Sequence, residues 1–176
     1  MTPQVRLCRL ARSDRDEFVA AMGASRGLHG RWSSPPTTAE SFDALLERRS
    51  ADESGELLLV RRREDDALVG YYDLSQITRG PFQNAFLGYA GVAAHNGQGY
   101  MAAGMRLLLR HAFAELRLHR LEANIQPGNA ASIALVRRAG FVKEGFSERY
   151  LKISGRWRDH ERWAIRAEQW RGRRSR

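Results

Sequence analysis

The stretch "AAHNGQGYMAAGMRLLLRHAF", residues 93–113, joins a glycine-containing loop to a segment with the apolar periodicity of a helix. Gly97 and Gly99 stand one residue apart immediately before that segment. The first turn of a helix leaves backbone N–H groups unpaired and carries a partial positive charge. Residues without side chains allow an anion to approach these groups closely. The stretch therefore predicts an anion-binding loop at a helix N-terminus.

A Gly-x-Gly sequence before a helix also occurs in ordinary turns, so its surroundings must decide what the loop binds. A dinucleotide-binding fingerprint is excluded, because the third glycine and the strand-helix-strand frame are absent around Gly97. A P-loop is excluded as well, because no Gly-Lys-Ser or Gly-Lys-Thr follows.

Strand and helix patterns alternate on both sides of this stretch. The strand patterns are residues 5–10, 55–64, 67–77, 84–92, 119–127 and a hairpin over 142–166 that turns at Ser154 and Gly155. The helix patterns are residues 13–25, 37–50, 99–118 and 129–141, the first with Ser13 as its N-cap. This order predicts one mixed α/β domain, with helices packed on a predominantly antiparallel sheet.

The length of 176 residues, with 43% hydrophobic and 28% charged residues, suits one globular domain. No apolar run approaches the roughly 20 residues of a membrane span, and residues 1–16 lack the apolar core of a signal peptide. We therefore expect a cytoplasmic protein with no membrane partner. The single cysteine, Cys8, cannot form an internal disulfide.

The net charge of +9 raises the alternative of a nucleic-acid-binding protein. All but two of the 29 basic side chains are arginines spread along the chain, and only residues 171–176 form a concentrated basic run. A solvated tail is the favoured interpretation of that run, so nucleic acid is not expected as the partner. We therefore predict a domain over residues 1–170 followed by a basic tail, 171–176.

Four elements in order, "LGYAGV" (87–92), "NGQGYM" (96–101), "RLEANI" (120–125) and "NAASIALVRRAGF" (129–141), resemble the GNAT superfamily of N-acetyltransferases. The ending, residues 141–165, is similar to the RimJ/RimL type, which acetylates protein N-termini and some small amines. The resemblance implies about seven strands with a splayed central pair and about four helices. It also implies acetyl-CoA as co-substrate and an amine acceptor, and it leaves a homodimer open.

The resemblance gives the glycine loop a ligand, the pyrophosphate of acetyl-CoA. The backbone groups expected to hold it are those of Gly97, Gln98, Gly99, Tyr100 and Met101. The preceding strand is expected to splay and to pair with the pantetheine arm through Ala90, Gly91, Val92 and Ala93, with a bulge permitted at Gly91. The family motif begins with Gln or Arg where this chain has Ala94, which removes one polar contact but leaves the backbone cradle.

Asn129 and Ser132 open the following helix, and each has two interpretations. Asn129 could be an N-cap alone, and Ser132 could satisfy its hydroxyl locally. In the family the Asn lies beside pantetheine and, in RimL-like members, the Ser lies near the thioester sulfur. Other members protonate the leaving thiolate with a Tyr where this chain has Val136, so Ser132 is the remaining candidate for that role.

The general base is not determined by the pattern. RimL-like members carry an acidic residue where this chain has Arg149. Glu148 is adjacent but should face the other way on a strand, and Glu122 is equally well explained by a structural ion pair. The resemblance places Trp32 over the acceptor pocket, with Arg149 as a second acceptor-binding candidate.

No metal site is expected, because His95, His119 and His160 are scattered and have no Cys or acidic neighbours at ligand spacing. The alternative to an acetyltransferase is a basic ribosome- or RNA-binding module on a catalytically impaired GNAT fold. The net charge and Arg149 favour that alternative, whereas the intact glycine loop disfavours it.

Overall fold

The computed structural model describes residues 3–51 and 53–174. Seven strands form one sheet in the order β1-β2-β3-β4-β5-β7-β6. The strands are β1 (Val5–Arg9), β2 (Glu56–Arg62), β3 (Leu68–Thr78), β4 (Asn84–Gly91), β5 (Arg120–Ile125), β6 (Val142–Ile153) and β7 (Arg156–Arg166). All neighbours are antiparallel except β4 and β5, so the predicted predominantly antiparallel sheet is confirmed.

Six α-helices occur in the described ranges, where about four were expected. They are α1 (Arg15–Ala24), α2 (Arg26–His29), α3 (Ala39–Ala51), α4 (Tyr100–Arg110), α5 (Ala130–Ala139) and α6 (Ala167–Arg174). The first additional helix, α2, is a single turn inside a predicted loop. The second, α6, runs across the predicted tail boundary at residue 170, and residues 175–176 lie outside the described ranges.

The start of α1 differs from the prediction. Ser13 is not its N-cap, because residues Arg12–Asp14 form a 3-10 turn and α1 begins at Arg15. The Asp14 carboxylate accepts a hydrogen bond from the Ala11 N–H at 2.7 Å, which stabilises the 3-10 turn before the α-helix starts.

The sheet carries a hydrophobic core on each face. In β2, Val60 packs into the core that contains helix α4, whereas Leu59 packs into the core that contains Phe18 of α1 and Phe42 of α3. Successive strand residues point to opposite faces, so β2 supplies both cores. This two-sided packing holds β4 in the middle of the sheet, where it borders the site described below.

The strands β4 and β5 separate after a short parallel contact. Only Asn84–Phe86 pair with Arg120–Glu122, whereas β4 continues along β3 as far as Gly91. The splayed central pair is therefore confirmed. The bulge permitted at Gly91 is not observed there, because Gly91 pairs directly with Gly70.

Close packing explains the regular ladder at Gly91. A Cβ atom on Gly70 would lie 2.5 Å from the Met101 sulfur and 2.6 Å from the Ala90 carbonyl oxygen. The two strands therefore lie flat against the start of α4. The irregularities of β3 and its neighbours occur elsewhere, at residues 60–61 and 75–78.

Candidate functional site

A cavity of about 540 Å³ lies where β4 and β5 separate. It is bordered by β4, the glycine loop, α5, the β6–β7 hairpin and the loop after α2. Of the residues predicted for the site, those on its wall are Trp32, Ala90, Gly91, Val92, Gly97, Gly99, Tyr100, Met101, Asn129 and Ser132. The described wall contains no Asp or Glu, and its one Arg or Lys is Arg138.

The glycine loop adopts a conformation that suits glycine. Gly97 and Gly99 have φ angles of 74° and 83°, in the left-handed region that other residues adopt at a cost. A Cβ atom on Gly97 would meet no atom within 4 Å, so this glycine borders open space. Gly99 is the N-cap of α4, and the first helical hydrogen bond runs from Ala103 N–H to the Gly99 carbonyl at 3.0 Å.

The first turn of α4 therefore presents the N–H groups of Tyr100, Met101 and Ala102 at the helix end, beside Gly97. Gln98 does not lie on the cavity wall, because its side-chain amide turns back and donates to the Ala94 carbonyl at 3.1 Å. The loop thus combines backbone donors, a helix N-terminus and open space, the three features that the approach of an anion requires.

The backbone of β4 alternates between β3 and the opening. The Val92 N–H donates to the Val69 carbonyl at 2.9 Å. In an antiparallel pair every second residue makes such hydrogen bonds with the neighbouring strand. The residues between them on β4, Tyr89 and Gly91, therefore direct their backbone N–H and C=O groups to the opening. The Gly91 carbonyl already accepts a hydrogen bond from His29 Nε2 at 2.7 Å.

Ala93 does not lie on the wall, because its N–H donates to Ser25 Oγ at 2.9 Å. The backbone of β4 that faces the opening is therefore that of Tyr89 and Gly91, and it does not extend through Ala93.

Helix α5 places Asn129 and Ser132 on the cavity wall. Asn129 is its N-cap, since Asn129 Oδ1 accepts a hydrogen bond from the Ser132 N–H at 3.2 Å. Ser132 Oγ lies 2.5 Å from the Tyr89 hydroxyl on β4. Burial raises the pKa of Tyr89 to about 12, so its phenol stays protonated at neutral pH and can donate to Ser132.

The loop after α2 forms the roof of the cavity. Gln126 Nε2 donates to the carbonyl oxygens of Arg31 and Trp32 at 3.1 and 3.3 Å. A Cβ atom on Gly128 would lie 3.2 Å from the Trp32 ring, so the indole rests on the connection between β5 and α5. This arrangement places Trp32 on the cavity wall beside the connection between β5 and α5.

The structure does not bring Glu122 to the cavity wall. Glu122 lies on β5 where β4 is still paired with it, and its carboxylate is 2.9 Å from Arg120 Nη2. Arg120 also contacts Glu144 at 2.5 Å. This is the structural ion pair that the sequence left open as the alternative for Glu122.

Glu148 and Arg149 are also outside the cavity wall, exposed on β6. The β6–β7 ladder is irregular between Ser147 and Leu151, and Arg149 has a φ of 46°. The Arg149 N–H donates to Asp159 Oδ1 at 2.9 Å. Because the ladder is interrupted here, strict two-residue alternation does not describe which side chains face the cavity.

The polar side chains on the wall to which sequence reasoning assigned no site role include Tyr89, His29 and His160. His160 is 3% exposed, and its Nδ1 lies 2.9 Å from the Arg158 carbonyl. The alternation of side chains along β7 could have revealed that the His160 side chain points towards the cavity. No group of His, Cys, Asp and Glu in residues 3–51 and 53–174 is arranged to hold a metal ion.

The chain is similar to known acetyltransferases. Residues 4–142 match the family model described as Acetyltransferase (GNAT) domain. The chain is 48% identical over 101 residues to the probable N-acetyltransferase YjcK of Bacillus subtilis, an alignment that covers 57% of this chain and 56% of that protein. It is 34% identical over 107 residues to the ribosomal protein uS5-alanine N-acetyltransferase of Escherichia coli, covering 61% and 55%. The chain therefore spans about half the length of the curated relatives it matches.

Solved structures show the same fold. Mycobacterium smegmatis RimJ in complex with CoA-disulfide has a TM-score of 0.86 at 27% identity, covering 93% of this chain and 82% of that one. The ribosomal-protein-S5-alanine acetyltransferase of Vibrio fischeri has a TM-score of 0.82 at 25% identity, covering 94% of both chains.

None of the helices described is long and apolar enough to cross a membrane. The family match covers well over half of the sequence and includes the glycine loop and α5. The resemblance noted from the sequence is thereby confirmed. The chain belongs to the GNAT acetyltransferase family.

Proposed function

We propose that the protein is an acetyl-CoA-dependent N-acetyltransferase that moves the acetyl group to a primary amine by direct transfer in a ternary complex. The observation that carries this proposal is the left-handed Gly97–Gly99 loop at the N-terminus of α4, open to the cavity between β4 and β5. The N–H groups of Tyr100 and Met101 suit the pyrophosphate of acetyl-CoA.

The pantetheine arm would extend along β4 as an additional strand. Tyr89 and Gly91 direct backbone groups towards it, and Asn129 lies on the opposite wall. This orientation would carry the thioester from the glycine loop towards Ser132. The acetyl group would then lie under Trp32, between α5 and the β6–β7 hairpin.

In the proposed reaction the neutral amine attacks the thioester carbonyl carbon, a C–N bond forms and the C–S bond breaks. The departing thiolate needs one proton, and Ser132 is the candidate donor. The Tyr89 hydroxyl, at 2.5 Å from Ser132 Oγ, can replace that proton. The substituted nitrogen loses a proton in the same turnover, so the thiol product and the amide are both neutral.

We propose a protein or peptide N-terminus as the acceptor class. The described cavity wall has no carboxylate to bind a polycation, and it includes the cation Arg138. The matched Escherichia coli relative is named for uS5-alanine acetylation. Arg149 is exposed and off the wall, so it has no part in the proposed acceptor binding.

Two measurements test the proposal. Acetyl-CoA at 100 times its dissociation constant should stabilise the fold by about 2.7 kcal/mol, seen as a raised Tm. Thiol release from acetyl-CoA should then be faster with a peptide bearing an N-terminal alanine than with spermidine. An unchanged Tm with acetyl-CoA would contradict the proposal and support the RNA-binding alternative, whereas faster turnover with spermidine would contradict only the acceptor class.

A further inference from the structure

We infer that His160 is the general base that takes the proton from the acceptor ammonium, an inference that rests on the proposed acetyltransferase function. The acceptor arrives as an ammonium without a lone pair, so a proton must leave before it can attack. The carboxylates considered from the sequence, Glu122 and Glu148, lie off the cavity wall. His160 lies on that wall, on the hairpin side of the cavity.

The hydrogen bonding of His160 leaves the correct nitrogen available. Nδ1 lies 2.9 Å from the Arg158 carbonyl oxygen, which can only accept. Nδ1 therefore carries the ring hydrogen, and the lone pair is on Nε2. Within the described residues Nε2 has no hydrogen-bond partner. A tautomer held by a backbone carbonyl is the arrangement a neutral histidine base requires.

The surroundings of the ring favour its neutral form. Burial lowers the pKa of His160 below its ordinary value, with the Arg158 hydrogen bond and the charge of Asp159 acting in the opposite direction. Tyr150 on β6 contacts the ring, with centroids 6.1 Å apart. The other titratable or charged groups of the described cavity wall are His29, Tyr89, His95, Tyr100 and Arg138. Arg158 and Arg162 lie on β7, two residues to either side of His160.

The other two histidines of the wall are less suited to this role. His29 Nε2 donates to the Gly91 carbonyl, and its Nδ1 is sealed from solvent without a partner in the described chain. His95 lies at the glycine loop, with its ring 5.9 Å from that of Tyr100. Among the histidines of the described wall, His160 alone combines a place on the hairpin side of the cavity with an unbonded ring nitrogen.

The proton balance is simple. Nε2 of His160 takes one proton from R–NH3+, giving R–NH2 and an imidazolium that keeps this proton during the attack and releases it to solvent only afterwards. The amine then attacks the thioester carbon, and the second nitrogen proton balances the one gained by the thiolate. A base with a low pKa removes a proton more readily from an α-amine, with a pKa of about 7.7–8.0, than from an ε-amine near about 10.4. His160 would therefore also favour N-terminal acceptors.

The test is the pH profile of kcat/KM for His160→Gln, with an N-terminal-alanine tetrapeptide and acetyl-CoA. At pH 6.5 we expect a loss of about 100-fold or more. The variant would depend on acceptor that is already deprotonated, so its rate should rise about tenfold per pH unit up to about pH 8. The parent should instead be nearly flat over that range, because its base is already neutral.

The control is His119→Gln, which replaces an exposed histidine that contacts Glu168 and should behave as the parent. His160→Asn is a second variant in case the first does not fold. Unchanged acetyl-CoA affinity and circular dichroism would show that the site is intact, and added imidazole should restore part of the rate.

The outcomes separate the two proposals. One outcome would overturn only the role of His160. In that outcome the parent acetylates the tetrapeptide, and a folded His160 variant has the same rate and the same pH profile as the parent. A His160 deficit that is constant from pH 6.5 to pH 8 would also overturn it, because a structural defect has no such pH dependence. A parent that binds acetyl-CoA but acetylates no amine would contradict both proposals.

Discussion

The hydroxyl of Tyr89 on β4 lies 2.5 Å from the hydroxyl of Ser132 on α5, so one hydrogen bond joins the two walls of the cavity. The Tyr89 ring also packs edge-on against Tyr72, with centroids 5.9 Å apart. Tyr72 in turn donates to the Met101 carbonyl in the first turn of α4. The two tyrosines therefore connect the proposed thiolate site with the glycine loop.

Replacing Tyr89 with Phe should lower kcat by about 10- to 100-fold and leave acetyl-CoA affinity within a few-fold. The ring and its packing are retained, and only the hydrogen bond to Ser132 is lost. Ser132→Ala should lower kcat by about 10- to 1,000-fold for the same reason. Turnover is to be measured where chemistry limits the rate, with affinity measured by calorimetry.

The double variant distinguishes a shared role from two separate roles. If the two hydroxyls act as one unit, Tyr89→Phe with Ser132→Ala should be no slower than Ser132→Ala alone. Effects that multiply would show that the hydroxyls contribute independently. Normal turnover of the Ser132 variant would return this residue to a structural role in the first turn of α5.

Gly97 and Gly155 form a matched pair for testing the loop. Their φ angles are 74° and 77°, and a Cβ atom at either position would meet nothing within 4 Å. Alanine at either position should destabilise the fold by about 1–2 kcal/mol. Only Gly97→Ala should also weaken acetyl-CoA binding, by about tenfold or more, because its methyl group would occupy the space proposed for the phosphates.

Calorimetry with acetyl-CoA and thermal unfolding measure the two effects separately. Gly155 lies in the β6–β7 turn, away from the cavity wall, so it controls for backbone strain. Equal acetyl-CoA affinities in the two variants would show that the Gly97 loop does not contact the ligand. Gly97→Val and Gly99→Val should abolish binding, because their branched side chains are larger.

The glycine loop could be predicted from the sequence because its signal is local. Gly97, Gly99 and the following helix are neighbours in the chain, and the physics of a helix N-terminus depends only on those neighbours. The N-cap at Asn129 is local in the same way, and the structure shows it.

The hairpin side of the cavity could not be predicted in this way. The placement of Arg149 and Glu148 depends on an irregular ladder at residues 147–151, which sequence alternation does not reveal. The contact of Tyr89 with Ser132 joins residues 43 positions apart, and it depends on how far β4 and β5 separate. Long-range register therefore decides which polar side chains reach the reacting groups.

Trp32 is proposed to cover the acceptor, so Trp32→Ala should raise the KM for an acceptor peptide by about tenfold and leave acetyl-CoA affinity unchanged. The indole lies on the cavity wall beneath the Arg31 guanidinium, which is 4.6 Å from the ring centroid. Removing an aromatic ring from an acceptor pocket removes apolar contact area and opens the site to water. Steady-state kinetics with varied peptide would measure the change.

Trp157→Ala is the matched control for Trp32. Trp157 lies on β7, is 60% exposed and is not on the cavity wall, so its removal should leave both constants unchanged. A KM effect of equal size in both variants would indicate a general loss of stability. A Trp32→Ala effect on acetyl-CoA affinity alone would place the indole at the cofactor instead of the acceptor.

Directly after the C-terminal end of α4, His111 is held between two carboxylates. Its Nε2 lies 2.6 Å from Glu56 on β2, and its Nδ1 lies 2.6 Å from Glu115 in the π-helical turn that continues α4. The Glu56 hydrogen bond raises the pKa of His111, with Glu115 acting in the same direction, and the His111 hydrogen bond lowers the pKa of Glu56. The charged form of the cluster therefore stabilises the contact between β2 and α4.

The stability that His111 contributes should depend on pH in a defined direction. A raised histidine pKa means that the contribution is complete below its ordinary pKa of about 6.5 and is lost as the pH rises through the raised value. The lowered pKa of Glu56 keeps its carboxylate charged at pH 6.

His111→Gln should therefore lower the free energy of unfolding by about 1–3 kcal/mol at pH 6, and this deficit should shrink by pH 9. Urea unfolding of both proteins at the two pH values measures this difference. His119→Gln removes a half-exposed contact with Glu168 and should cost less than His111→Gln at pH 6, because exposed ion pairs contribute little. A deficit of the same size at pH 6 and pH 9 would show that His111 acts through packing rather than through its charge.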